Sequence, residues 1–89
     1  MKSKEIYKKA IETYGSSAQL DIAIEEMSEL TKAILKNRRG QDNIQDIIEE
    51  FADVSIMMKQ MLIIYNIDIE DIAFKVAEKT ARLQERLAK

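Results

Sequence analysis

Two acidic clusters carry the spacing that chemistry needs: Glu25-Glu26-Met27-Ser28-Glu29 and Glu49-Glu50-Phe51-Ala52-Asp53. Midway between them lies the chain's clearest helix break, Asn37-Arg38-Arg39-Gly40. A hairpin folded between Arg39 and Gly40 sets Glu29 across from Glu50 and, in the same register, Glu26 across from Asp53. Two antiparallel helices would then gather four carboxylates at one level, and carboxylates gathered in that way need a cation. The chain has no Cys and no His, which removes thiol and imidazole nucleophiles, soft zinc sites and disulfides together. A metal held by such a chain must be hard and oxygen-bound.

The elements that would position these acids read as helices almost throughout. Pro is absent, Gly occurs twice, and Ile, Leu, Ala, Glu and Lys dominate the 89 residues. Apolar residues recur at helical spacing through Ile6, Tyr7, Ala10, Ile11 and Tyr14, which predicts a first helix over Ser3 to Tyr14. Gly15-Ser16-Ser17 ends it and offers a hydroxyl to cap a second helix from about Ala18 to Lys36. In that helix Leu20, Ala23, Ile24, Met27, Leu30, Ile34 and Leu35 form a broad apolar arc. At 100° per residue, Glu25 falls on the wet face beside Lys32 and Lys36, whereas Glu26 projects between Leu30 and Ala33 inside the arc. Glu29 lies at the border, one turn from Glu26.

Beyond Gly40, Asp42 or Asn43 is placed to cap a third helix reaching about Tyr65. Glu50 falls between Met57 and Met61 on its wheel, and Asp53 between Gln60 and Ile64. From Val54 to Tyr65 this helix is apolar nearly all round, which predicts enclosure, in part by a second copy of the chain. Asp68 can cap a fourth helix, Ile69 to about Leu87, whose apolar face is Ile69, Ile72, Ala73, Val76, Ala77, Leu83 and Leu87. Lys75, Lys79, Arg82 and Arg86 form a separate stripe along it. The expected architecture is all-α: one domain over residues 1–89, a four-helix bundle completed by oligomerisation.

Glu5, Glu12, Glu70, Glu78 and Glu85 read as solvated surface charges, and Glu25 and Glu49 lean the same way. Glu26, Glu29, Glu50 and Asp53 differ, because an uncompensated carboxylate in an apolar arc costs several kcal/mol or more. By the wheel, Lys32 and Lys36 run along the Glu25 edge and Lys59 is far round from Glu50, so a divalent cation answers the clustered charge better than lysines do. Mg²⁺, with Mn²⁺ an allowed substitute, takes oxygen ligands and joins a few carboxylates to substrate phosphates. The 14 basic and 16 acidic residues nearly cancel to −2, which argues against nucleic acid or an anionic membrane as partner. No signal-type or bilayer-spanning apolar run is present, so the cytoplasm is the expected location.

Glu25-Glu26-Met27-Ser28-Glu29 with Glu50-Phe51-Ala52-Asp53 resembles the EExxE…ExxD signature of the MazG-like all-α nucleoside triphosphate pyrophosphohydrolases. The resemblance runs from about Tyr14 to Tyr65, and more loosely into the last helix. It implies that Glu26, Glu29, Glu50 and Asp53 bind Mg²⁺ and are the catalytic acids. The implied reaction splits a nucleoside triphosphate between its α- and β-phosphates into monophosphate and pyrophosphate, in a homodimer or homotetramer. Many members carry a Lys-Asn pair in the last helix, whereas this chain reads Lys75-Val76-Ala77-Glu78-Lys79-Thr80. The absence of His sets it apart from the related phosphoribosyl-ATP enzymes. Lys75, Lys79, Arg82 and, more weakly, Lys32 are candidates to meet phosphate charge. The rival expectation is a non-catalytic helical oligomer, an interaction module whose acids hold a cation only for structure.

Overall fold

The computed structural model describes all 89 residues, Met1–Lys89, as four helices with no strand: α1 Ser3–Tyr14, α2 Ser16–Arg38, α3 Ile44–Ile64 and α4 Ile69–Leu87. Helices α2 and α3 pack antiparallel as the main hairpin, and α1 lies against both. No helix is long and apolar enough to cross a membrane.

The α2–α3 seam follows from spacing. On α2 the least exposed side is Gln19, Ala23, Glu26, Leu30, Ala33 and Asn37; on α3 the facing row is Ile47, Glu50, Val54, Met57, Met61 and Ile64, flanked by the buried Gln60. Both rows advance in alternating steps of three and four, the stripe that lets one helix mesh with another. Ala23 and Ala33 are small and buried, which lets the two backbones approach on either side of Glu26. Two acids, Glu26 and Glu50, therefore occupy positions that a helical hairpin ordinarily fills with apolar residues.

The turn is held from two sides. Gly40 takes φ 98°, a left-handed conformation that costs glycine little, while its N–H donates to the Asn37 carbonyl and the Gln41 N–H to that of Lys36. Asn43 stands at the head of α3 but does not cap it; its buried amide instead donates to the Ala33 carbonyl on α2 at 3.0 Å. The expected cap is thus replaced by a cross-brace between helices. Nor does a serine hydroxyl cap α2: the helix begins at Ser16 with Gly15 as its boundary, and neither serine bonds back to it. Asp68 does cap α4, accepting from the Glu70 N–H at 2.9 Å.

The single chain encloses little. Only Ala23, Ala33 and Met57 form a buried apolar core, joined by the buried polar residues Gln19, Asn43 and Gln60. The apolar arc of α2 is largely open, with Ile24, Met27, Ile34 and Leu35 exposed, and on α3 Ile56, Met58 and Tyr65 remain exposed where enclosure was expected. No residue of α4 is buried, so the intrachain bundle has three packed helices and a fourth that projects. The radius of gyration is 16.2 Å, against about 12 Å for a compact chain of this length.

Candidate functional site

The hairpin register brings three of the acids together. Carboxylate oxygens of Glu26 on α2 and of Glu50 and Asp53 on α3 all lie within 4.8 Å of one another. Glu50 and Asp53 are three residues apart, hence neighbours on one side of α3, and the seam lays Glu26 against them. Glu26 and Glu50 are half-buried, while Asp53 is exposed and forms the open side of the cluster.

Glu29 stands apart from that triad. It is exposed and its carboxylate pairs with Lys32 at 3.3 Å, so Lys32, expected beside Glu25, faces Glu29 instead. Three residues separate them, which is one turn of the same helix face. The charge of Glu29 still reaches the cluster, since it raises the pKa of both Glu26 and Glu50.

Partial burial is the largest cause that lifts the Glu26 carboxyl above the ordinary glutamate value of 4.5. The charge of Asp53 and a hydrogen bond shared with it come next, followed by the charges of Glu50 and Glu29. Glu50 is lifted likewise, first by desolvation and then by the charges of Asp53, Glu29, Glu49 and Asp46. These causes all act in one direction, and none of the three acids is in an ion pair. One oxygen of Glu50, Oε2, is buried without a hydrogen-bond partner. An orphaned carboxylate oxygen is a costly feature unless it serves as a ligand.

A divalent metal fits this donor set. The converging atoms are all carboxylate oxygens, the hard ligands preferred by Mg²⁺ and Mn²⁺, and three carboxylates leave coordination positions for water or phosphate. Glu50 Oε2 supplies a lone pair that no protein group uses.

The cations on α4 are placed elsewhere. Glu78, expected as a solvated charge, accepts from Lys75 at 3.4 Å and from Arg82 at 2.7 Å. Within the single chain those two cations are therefore engaged along their own helix rather than turned towards the acids. Lys79 makes no ion pair.

The burial of three polar residues, Gln19, Asn43 and Gln60, was not anticipated from the sequence. Gln19 lies two turns before Glu26 and Gln60 two turns after Asp53, so the register that sets the acids at one level sets these two buried residues at matching levels, where Gln60 Oε1 has no hydrogen-bond partner. The signal was the seven-residue step from each acid. The role of Asn43 had no such signal, because its partner is a backbone carbonyl on another helix.

No protein-family model, curated protein or solved structure matches this chain.

Proposed function

We propose that the chain is a Mg²⁺-dependent nucleoside triphosphate pyrophosphohydrolase acting between the α- and β-phosphates, with Glu26, Glu50 and Asp53 as the metal-holding acids. The observation that carries this reading is their convergence within 4.8 Å, together with a buried, unpartnered oxygen on Glu50. The motif resemblance selects the reaction, and Glu29 joins the set by that resemblance, on giving up its Lys32 partner.

When bound there, Mg²⁺ would supply charge neutralisation for the phosphates and acidify a water. The chain's own part is positional and protonic. Glu26 and Glu50, fixed on the helix seam, hold the charge density that selects a cation, and Asp53 presents the face a triphosphate would approach. Crowding and burial lift the pKa values of Glu26 and Glu50 in the metal-free chain, and a bound cation would favour their ionised form, so the cluster gives up its proton as the cation binds.

The working unit in this reading is a homodimer or homotetramer. The accessible surface is 7297 Å², whereas a compact folded chain of this mass exposes about 5400 Å². The excess is more than the ~800 Å² per partner of a standard-sized interface. Ile72, Val76 and Leu83 repeat along one exposed face of α4, and Lys79, on the neighbouring basic stripe, lies one turn from Val76. A copy that covers that face also meets Lys79, by which a cation would reach a neighbour's phosphates. Lys75 and Arg82 could join it only by releasing Glu78.

The exposed apolar surface equally suits a second reading, a helical interaction module whose acids bind a cation for structure alone. Incubation with a panel of ribo- and deoxyribonucleoside triphosphates, with and without Mg²⁺, separates the two. Equal release of monophosphate and pyrophosphate supports the enzyme; melting that responds to Mg²⁺ but is indifferent to every nucleotide supports the module.

A further inference from the structure

A second cleft, of about 860 Å³, opens where the start of α1, the end of α3 and the α3–α4 connection meet. That volume lies in the range of small-molecule sites. It shares no residue with the acidic cluster. Its α3 wall is turned away from it as well: Lys59 is nine residues beyond Glu50, which places it about 180° round the helix.

The chemistry of the cleft is opposite to that of the acids. Lys4 and Lys8, one turn apart on α1, and Lys59 on α3 line it, and none of the three is in an ion pair. Its single acid is Asp68, whose carboxylate is engaged in capping α4. Three lysines against one aspartate leave the lining at +2. The first turn of α1 also faces the cleft through Ser3 and Lys4, and no side chain caps that helix. Its leading N–H groups are therefore open to an anion. One turn beyond Lys59 on α3, Leu62 and Ile63 supply an apolar wall together with Ile69, and the half-buried Tyr7 ring also lines the cleft. Asn66, also in the lining, holds a left-handed φ of 52° in the bend between α3 and α4.

We propose that this cleft is a binding site for a small organic phosphate, an apolar or aromatic body bearing a dianionic phosphate monoester, with Lys4, Lys8 and Lys59 on the phosphate and Leu62, Ile63 and Ile69 on the body. A charge of +2 matches the dianion, and the adjoining apolar wall accounts for the rest of the ligand. Bare phosphate would leave that wall unused.

The probe is 1-naphthyl phosphate, titrated into the full chain and followed by its fluorescence and by amide chemical shifts. Saturable binding is expected, with shifts confined to residues 3–8 and 59–69. Both 1-naphthol and inorganic phosphate should bind at least tenfold more weakly. The double variant Lys4→Gln with Lys59→Gln replaces two exposed side chains and should keep the helical circular dichroism while losing at least tenfold in affinity; Lys89→Gln, outside the cleft, should lose none. The site is refuted if 1-naphthyl phosphate fails to saturate, if 1-naphthol binds as tightly, if the double variant binds like the parent, or if the shifts centre on Glu26 to Glu29 and Glu50 to Asp53.

Discussion

The carboxylates of Glu26 and Asp53 meet across the α2–α3 seam with oxygens within 4.8 Å. Burial first and then the neighbouring Asp53 charge lift the pKa of Glu26, so the apo hairpin holds a proton there more readily than the unfolded chain does. The sign of the stability effect follows. A carboxyl whose folded-state pKa is raised binds more protons folded than unfolded, so its contribution is fully present below the ordinary value of 4.5 and is lost as pH rises through the raised value. The apo protein is expected to melt higher on acidification from neutral pH towards 4.5, by way of Glu26 and Glu50 together. Saturating Mg²⁺ should flatten that slope by favouring the ionised acids. A melting series against pH with and without Mg²⁺ checks this; a slope of opposite sign in the apo protein would count against the assigned burial of charge.

Substituting Glu50→Gln keeps the shape of the side chain and removes its charge. Turnover should fall roughly 10²–10⁴-fold, the span associated with losing a positioned acid or base. Thermal stability of the apo protein at neutral pH should hold or rise, because repulsion with Asp53 and Glu29 is relieved. Steady-state rates and melting curves on one preparation test both halves. A variant that is inactive because it unfolds would not support a chemical role for Glu50.

Asn43→Ala removes the brace to the Ala33 carbonyl. Loss of this one buried hydrogen bond costs about 0.5–1.5 kcal/mol, since the Ala33 carbonyl keeps its place in the α2 ladder, and each kcal/mol lowers the melting temperature by about 4–8 °C in a domain of this size. Metal affinity should weaken as well, since the brace sets the register that brings Glu26 to Glu50. Calorimetric melting and Mn²⁺ titration of the variant read the two effects separately.

The apolar face of α4 should hold subunits together. Val76 and Leu83 stand 58% and 47% exposed, seven residues apart on one face. Most of a helix's stability in a protein comes from packing of its apolar face, and no residue of α4 is buried within the chain. The paired change Val76→Asp with Leu83→Asp is expected to shift sedimentation from an oligomer to the monomer and to reduce the helical signal. Unchanged sedimentation would place the interface on the exposed faces of α2 and α3.

The four helices were legible because each announces itself locally: α1 and α4 match their expected limits, and Asp68 sits one residue before α4 as a cap must. The acid triad was legible through symmetry about the Arg39–Gly40 fold point, since antiparallel helices convert equal distances from a turn into proximity. What the wheel could not supply was the depth of each face. It counted Ile24, Met27 and Ile34 as core by type, yet the one strong packing partner of α2 within the chain is α3, and a single neighbouring helix covers only a narrow stripe. Likewise it placed Lys32 by angle alone, whereas a long flexible side chain reaches the carboxylate one turn away. The brace from Asn43 joins residues ten apart through a backbone carbonyl, a contact that no side-chain periodicity encodes.

The most direct measurement is ³¹P NMR of a nucleoside triphosphate incubated with the protein, in Mg²⁺ and after its removal by EDTA, alongside Glu50→Gln. Monophosphate and pyrophosphate should grow in equal amounts, only with Mg²⁺ and only for the unaltered chain, without orthophosphate. Triphosphates that stay intact across the panel, or that yield diphosphate and orthophosphate, would contradict pyrophosphohydrolysis at the Glu26–Glu50–Asp53 site.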